Sequence, residues 1–238
     1  MYRTEEFEID DSNKEAYKLA EILGEQSKGY NPAVFFGESA VGKSHLMGVI
    51  AERLKHNKVP VKVITGDDLI SEVIWELKSR GTMSVEEFCK RYDNIEVLII
   101  EDIQTLVDKL ATQEYLIGII DCFMKKGDRQ IILTMNIPPA DLDVLNSQLK
   151  ARFAFSVQTE IGKPTAELKM RILQKSEIAE KITSEAAELL MQKIQTIGEL
   201  KGVCKNILLY LDCYGGAVNE EVVEKIWKMR KTARCSDS

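Results

Sequence analysis

The chain has 238 residues, 45% of them hydrophobic and 29% charged, with a formal charge of −6. That length and composition allow a substantial core and exclude a disordered chain, and no apolar run approaches the roughly 20 residues needed to span a membrane. The opening Met1-Tyr2-Arg3-Thr4-Glu5-Glu6 has no signal-peptide core and the five cysteines form no CxxC pair, so a cytosolic protein with reduced thiols is expected, without a disulfide framework or zinc site.

The first strong pattern is the apolar run Ala33-Val34-Phe35-Phe36, read as a buried strand. Gly37-Glu38-Ser39-Ala40-Val41-Gly42-Lys43-Ser44 follows it, a complete GxxxxGKS phosphate loop, and residues 44–55 then read as a helix. The spacing has a chemical reason. The glycines let backbone N–H groups close around phosphate oxygens, Lys43 supplies a cation to the β and γ phosphates, and Ser44 supplies a hydroxyl to Mg²⁺. The expected ligands are therefore a nucleoside triphosphate, taken as ATP, and Mg²⁺.

Further along, 61–65 and 97–100 read as strands, and the second of these runs into Glu101-Asp102. A phosphate-loop protein needs such an acidic pair: one carboxylate holds Mg²⁺ through water, and the other orients or deprotonates the attacking water. Runs at 131–134 and 155–157 complete five strands, each separated from the next by amphipathic segments, which predicts a parallel sheet with helices on both faces. Ile161-Gly162-Lys163-Pro164 reads as a linker. Helical patterns follow at 165–180, 184–194, 198–214 and 219–230, with Thr183 as an N-cap, Gly215-Gly216 as a stop and a frayed tail from Lys228. The expected organisation is an α/β nucleotide-binding domain over 1–158 followed by a small all-α lid over 159–238.

The chain resembles the DnaA replication initiators of the AAA+ ATPase class. The resemblance is carried by Tyr30-Asn31-Pro32 before the loop, Gly42-Lys43-Ser44-His45-Leu46, Leu98-Ile99-Ile100-Glu101-Asp102-Ile103-Gln104, Thr112-Gln113-Glu114, Gln130 to Thr134 with Pro138-Pro139, and Leu149-Lys150-Ala151-Arg152-Phe153. Phe7 with Ser12-Asn13 is similar to the family's lead-in to the adenine pocket. The resemblance implies that the nucleotide is bound by Gly37, Glu38, Ser39, Ala40, Val41, Gly42, Lys43, Ser44 and His45, with Ser44 and Glu101 holding Mg²⁺ partly through water. It implies catalytic duties for Glu101, Asp102, Asn136 at the sensor 1 position and Arg152 as an arginine finger reaching a neighbouring subunit. It also implies single-stranded DNA contacts at Ile74 and Lys109. His45, Trp75 and Trp227 read as packing residues.

Three departures from the family pattern matter. Glu101 stands where an aspartate is usual, Gly198 where the lid carries the sensor 2 arginine, and Ala111 where the single-strand motif has a basic residue. Arginine introduced at 198 is expected to favour the triphosphate, provided that the side chain points into the cleft. Residues 1–158 carry 19 Lys/Arg against 26 Asp/Glu, which argues against a broad grip on duplex DNA. With few residues after Arg230, no helix-turn-helix reader of duplex sequence is expected. The implied function is initiation or regulation of DNA replication, with slow ATP hydrolysis and partners that are copies of itself or another AAA+ initiator or helicase-loading protein, without a membrane. Two alternatives stand beside it: a helicase-loader ATPase, and a non-hydrolysing adaptor of a full-length initiator.

Overall fold

The computed structural model describes residues 7–25, 29–81, 83–125, 127–141 and 145–234. The N-terminal hexapeptide and Cys235 of the sequence reading lie outside them. Five strands, β1 (Ala33–Phe36), β2 (Val61–Thr65), β3 (Val97–Glu101), β4 (Gln130–Met135) and β5 (Val157–Glu160), form one sheet in the order β2-β3-β4-β1-β5. Every pairing is parallel. The central strands are continuous apolar runs because helices cover both faces, so neither set of side chains meets water.

Parallel register brings the carboxyl ends of the central strands to one edge: Phe36 lies opposite Met135, and Ile100 opposite Leu133. At the other edge Asn31 fixes the start of this register. Its side-chain amide donates to the carbonyls of Phe123 (3.2 Å) and Arg129 (3.0 Å), and its oxygen accepts from the Ile131 N–H.

The sheet is covered by α1 (Lys14–Gly24), α2 (Lys43–His56), α3 (Gly66–Arg80), α4 (Val85–Cys89), α5 (Leu110–Lys125) and α6 (Ser147–Ala154). α3 and α4 begin with capping boxes, Thr65 with Asp68 and Ser84 with Glu87, each satisfying two otherwise orphaned donors. Leu69, Val73, Phe88, Tyr92, Leu116 and Phe123 pack from these helices and their connections onto Leu98, Ile100, Ile131 and Leu133 of the sheet.

The expected strand at 155–157 begins later than its apolar residues suggested. Phe155 closes α6 and is 82% exposed, and pairing with β1 starts at Val157.

The chain separates into two compact units, one built from Phe7, Asn13–Glu38 and Lys43–Ile161, the other from Glu8–Ser12, Ser39–Gly42 and the chain from Gly162 onward. The second unit contains α7 (Ala166–Gln174), α8 (Ser184–Lys193), α9 (Ile197–Tyr214) and α10 (Glu220–Arg234) around a core that includes Leu190, Leu200, Val203, Ile207, Val223 and Ile226. The helix expected over 165–180 is broken: α7 stops at Gln174, the Ser176 N–H turns back to the Leu173 carbonyl, and a single 3-10 turn follows at Ala179–Lys181. Thr183 caps α8 as its sequence implied. The chain from Lys228 to Arg234 is helical, not frayed, because α10 continues through it. Trp227 packs partly buried on this core. Among the described residues no helix is long and apolar enough to cross a membrane.

Candidate nucleotide site

β1 delivers the chain to Gly37 at the carboxyl edge of the sheet, where φ is +154° at Gly37 and +121° at Gly42. The value at Gly42 lies in territory that a side chain disfavours, and it allows the loop to turn directly into α2. Lys43, in the first turn of α2, is almost fully buried, and its ammonium donates to the carbonyls of Gly37 (2.7 Å) and Glu38 (2.8 Å). The loop is thus folded around its own lysine. Burial lowers the Lys43 pKa, opposed by the negative charges of Asp102 and Glu101.

β3 delivers Glu101 and Asp102 to the same edge. Burial raises the Glu101 pKa; a hydrogen bond from Ser44 opposes the shift, Asp102 reinforces it, and Lys43 opposes it. Asp102 has left-handed backbone angles (φ 58°, ψ 47°), which aspartate tolerates better than most residues, and it starts the 3-10 turn Ile103–Leu106. Two side chains hold this turn. The Asp102 N–H donates to the hydroxyl of fully buried Thr134 (3.0 Å), and the Gln104 amide donates to the Asp102 carboxylate (3.0 Å). The oxygen of the same Gln104 amide accepts from the Asn136 N–H just beyond β4 (3.2 Å). Asp102 and Asn136 are therefore linked through Gln104.

Ser44, Glu101 and Asp102 offer only oxygen ligands, with the Ser44 hydroxyl already bonded to Glu101, a donor set suited to the hard Mg²⁺ ion. A lysine that exchanges loop carbonyls for phosphate oxygens fits a triphosphate in the same place. His45 meets Phe7 edge-on with ring centroids 5.3 Å apart, and Phe7 stacks on Tyr17 at 5.6 Å, so the histidine ring packs at the start of α2.

Arg152 lies on α6 and is engaged within its own chain. Its Nε and Nη2 donate to the two carboxylate oxygens of Asp121 on α5 (3.0 and 2.8 Å), and its Nη1 donates to the Gln148 carbonyl. The Asp121 hydrogen bonds raise its pKa further. Ile74, 45% exposed, projects from α3, and Lys109 is exposed where the chain enters α5; α3 packs against both the 3-10 turn after Asp102 and α5. Trp75, expected to pack, is 57% exposed beside Ile74, with the Arg91 guanidinium 5.9 Å from its ring. The α3 core contacts are made instead by Leu69, Ile70, Val73 and Leu77, leaving Trp75 on the outer face.

The Gly198 position does not aim a side chain into open space. A Cβ built there would meet the Ala40 Cβ at 2.7 Å. The condition attached to an arginine at 198 is therefore not met. Thr134, Gln104 and Asp121 are site residues to which no sequence motif gives a role. Gln104 carried a signal, lying two residues after Asp102, whereas Thr134 and Asp121 acquire their partners only through the fold.

Residues 1–160 match the family model of the bacterial DnaA ATPase domain. The chromosomal replication initiator proteins DnaA of Cutibacterium acnes and Oenococcus oeni are each 31% identical to the chain, over 95% and 92% of it and over 46% and 49% of their own lengths. The chain thus spans about half the length of these curated relatives. Domain III of the Thermotoga maritima initiator superimposes with a TM-score of 0.85 at 22% identity, covering 95% of both chains. AMPPCP-bound DnaA from Aquifex aeolicus superimposes at 0.80 with 25% identity, over 98% of this chain and 70% of that one. A DnaA structure with AMPPCP and single-stranded DNA does so at 0.79, again at 25%, over 97% and 68%. With two thirds of its residues under the family model and a five-stranded parallel sheet presenting the phosphate loop and acidic pair at one edge, the chain belongs to the bacterial DnaA ATPase-domain family.

Proposed function

We propose that this chain binds ATP with Mg²⁺ at the carboxyl edge of its sheet and acts in the cytoplasm in the initiation of DNA replication or its regulation, through nucleotide-dependent assembly. The observation that carries the reading is the convergence of Lys43, Ser44, Glu101 and Asp102, with Lys43 close enough to both acids for their charges to oppose its burial. Bound Mg²⁺–ATP would supply the phosphoryl group together with a counter-charge for its oxygens. Ser44 and Glu101 offer oxygens for the ion, and Lys43 offers its ammonium to the phosphates. Asp102, oriented by Gln104, is the base that positions a water, while Asn136 lies at the other end of the Gln104 bridge. Arg152 acts on the nucleotide of a neighbouring copy or of another AAA+ initiator or helicase-loading protein, stabilising charge in the transition state.

Single-stranded DNA is a proposed partner, supported by the similar initiator with that ligand and by the exposed Ile74 and Lys109. Sequence-specific duplex binding is not proposed, since the first 158 residues carry an excess of acids. A second reading is an adaptor in which ATP is structural and Arg152 acts in trans on a full-length initiator; Glu101 in place of the usual aspartate and the glycine at 198 favour it.

Calorimetry with Mg²⁺–ATP tests the site, with Lys43→Ala expected to lose most of the affinity while remaining folded; undiminished binding in that variant would reject it. Hydrolysis measured against protein concentration then separates enzyme from adaptor. The enzyme reading requires turnover that rises with concentration and falls in Arg152→Ala without loss of ATP binding.

A further inference from the structure

Gly198 lies in the first turn of α9, and Ser39–Gly42 of the phosphate loop belongs to the same compact unit as this helix. The first N–H groups of a helix have no partners within it. Here that of Glu199 goes to the Thr196 hydroxyl at 3.2 Å, and that of Gly198 goes to the Ala40 carbonyl, also at 3.2 Å. Ala40 has a φ of +64°, a left-handed conformation that alanine adopts only where its surroundings hold it. The approach leaves no room for a side chain at 198. Besides the Ala40 Cβ at 2.7 Å, an added Cβ would lie 3.8 Å from the Ala40 Cα and 3.9 Å from its carbonyl oxygen. The nearest of these atoms is fixed to the backbone and cannot swing aside.

We infer that Gly198 is a positioning residue of the phosphate loop: by lacking a side chain it lets α9 bond the Ala40 carbonyl and hold the loop in its working shape, whichever nucleotide is present. This rests on the ATP reading above and deepens it. A lid arginine senses the third phosphate by charge, whereas a backbone contact to Ala40 is indifferent to it. The lid of this chain therefore supports the loop without discriminating ATP from ADP.

Calorimetry with Mg²⁺–ATP and Mg²⁺–ADP on the whole chain tests this, with helical circular dichroism as the folding control. Wild type should bind the two nucleotides within about threefold of one another. Gly198→Ala should weaken both by about fivefold, the change expected from one lost hydrogen bond, with no loss of helical signal because alanine is the better helix former. Gly198→Arg should also weaken both. Combining Gly198→Ala with Ala40→Gly removes one of the two colliding methyl groups, so the double variant should bind as tightly as Ala40→Gly alone. That non-additivity is the signature of direct contact. Selective tightening of ATP in Gly198→Arg, unchanged affinities in Gly198→Ala, or losses that simply add in the double variant would each overturn the inference while leaving the ATP site in place. Failure of wild type to bind ATP at all would overturn the nucleotide reading and this inference together.

Discussion

In the proposed finger role, Arg152 serves a neighbouring nucleotide only after leaving Asp121, and the strength of that pairing sets a measurable threshold. The contact is bidentate, at 3.0 and 2.8 Å, with side chains 26% and 36% exposed. Solvent at that exposure screens the charges, so the pair contributes about 1 kcal/mol, near the top of the range for surface ion pairs. A penalty of about 1 kcal/mol reduces the population of free arginine about fivefold and raises the concentration needed for assembly-dependent turnover by a similar factor. Asp121→Asn keeps the size of the side chain and removes its charge. Turnover plotted against protein concentration should reach half its maximum at a concentration two- to fivefold lower in this variant, with the same plateau. Arg152→Ala should flatten the curve. A midpoint that stays in place or moves upward in Asp121→Asn would show that the carboxylate does not restrain the finger, and the reasoning would fail.

The raised pKa of Glu101 gives a pH signature whose sign depends on the process followed. An acid whose pKa is raised by folding stabilises the folded state fully below its ordinary value of 4.5, and the contribution is lost as pH rises through the folded value. The proposed metal–nucleotide binding runs the other way, because it would need the carboxylate ionised. The affinity difference between wild type and Glu101→Gln should therefore shrink on acidification, beginning above the ordinary glutamate range; parallel calorimetric curves between about pH 8 and about pH 5 would reject the metal role. Thr134→Val leaves the Asp102 N–H without its acceptor, at a cost of about 1–3 kcal/mol, and scanning calorimetry should show the melting midpoint fall by roughly 2–10 °C. An unchanged midpoint with unchanged turnover would mean that the Thr134 hydroxyl does not hold the Asp102 turn. For oligothymidylate, Trp75→Ala should lose about fivefold in affinity with little change in salt dependence, whereas Lys109→Ala should reduce the salt slope by about 0.7. If both variants bind like wild type at every salt concentration, the face formed by α3 and the start of α5 is not the DNA surface.

The bounds of β1 follow directly from sequence, because a strand buried on both faces leaves an uninterrupted apolar run between turn residues. The phosphate loop is equally legible, since its chemistry is local and its spacing rigid. Phe155 shows where this fails: an aromatic next to Val157 reads as part of a strand, yet it closes α6 and stands in solvent. Trp75 fails similarly, since amphipathic spacing cannot say whether a tryptophan at the border of the apolar stripe turns inward or outward. The Gln104–Asn136 bond and the Arg152–Asp121 pair join residues 32 and 31 positions apart, and only the parallel register and the packing of α6 on α5 bring them together. Gly198 stood out as a missing arginine, although its closeness to Ala40 gives the glycine a reason of its own.

Thr134 and Asn136 belong to β4 and the residue just past it, while the acid that they steady follows β3. The site consequently inherits its precision from the alignment of two neighbouring strands, and the exposed connections on either side of α5 are free to vary in length. Lengthening the exposed connections around α5 would leave Asp102 where it is, provided that the ladder from Val97–Gln130 to Ile100–Leu133 is kept. Deleting one residue between Ile131 and Thr134 would act differently. It would turn the threonine hydroxyl to the opposite face of the sheet and release the acid from its anchor while leaving Lys43, Ser44, Glu101 and Asp102 themselves unchanged.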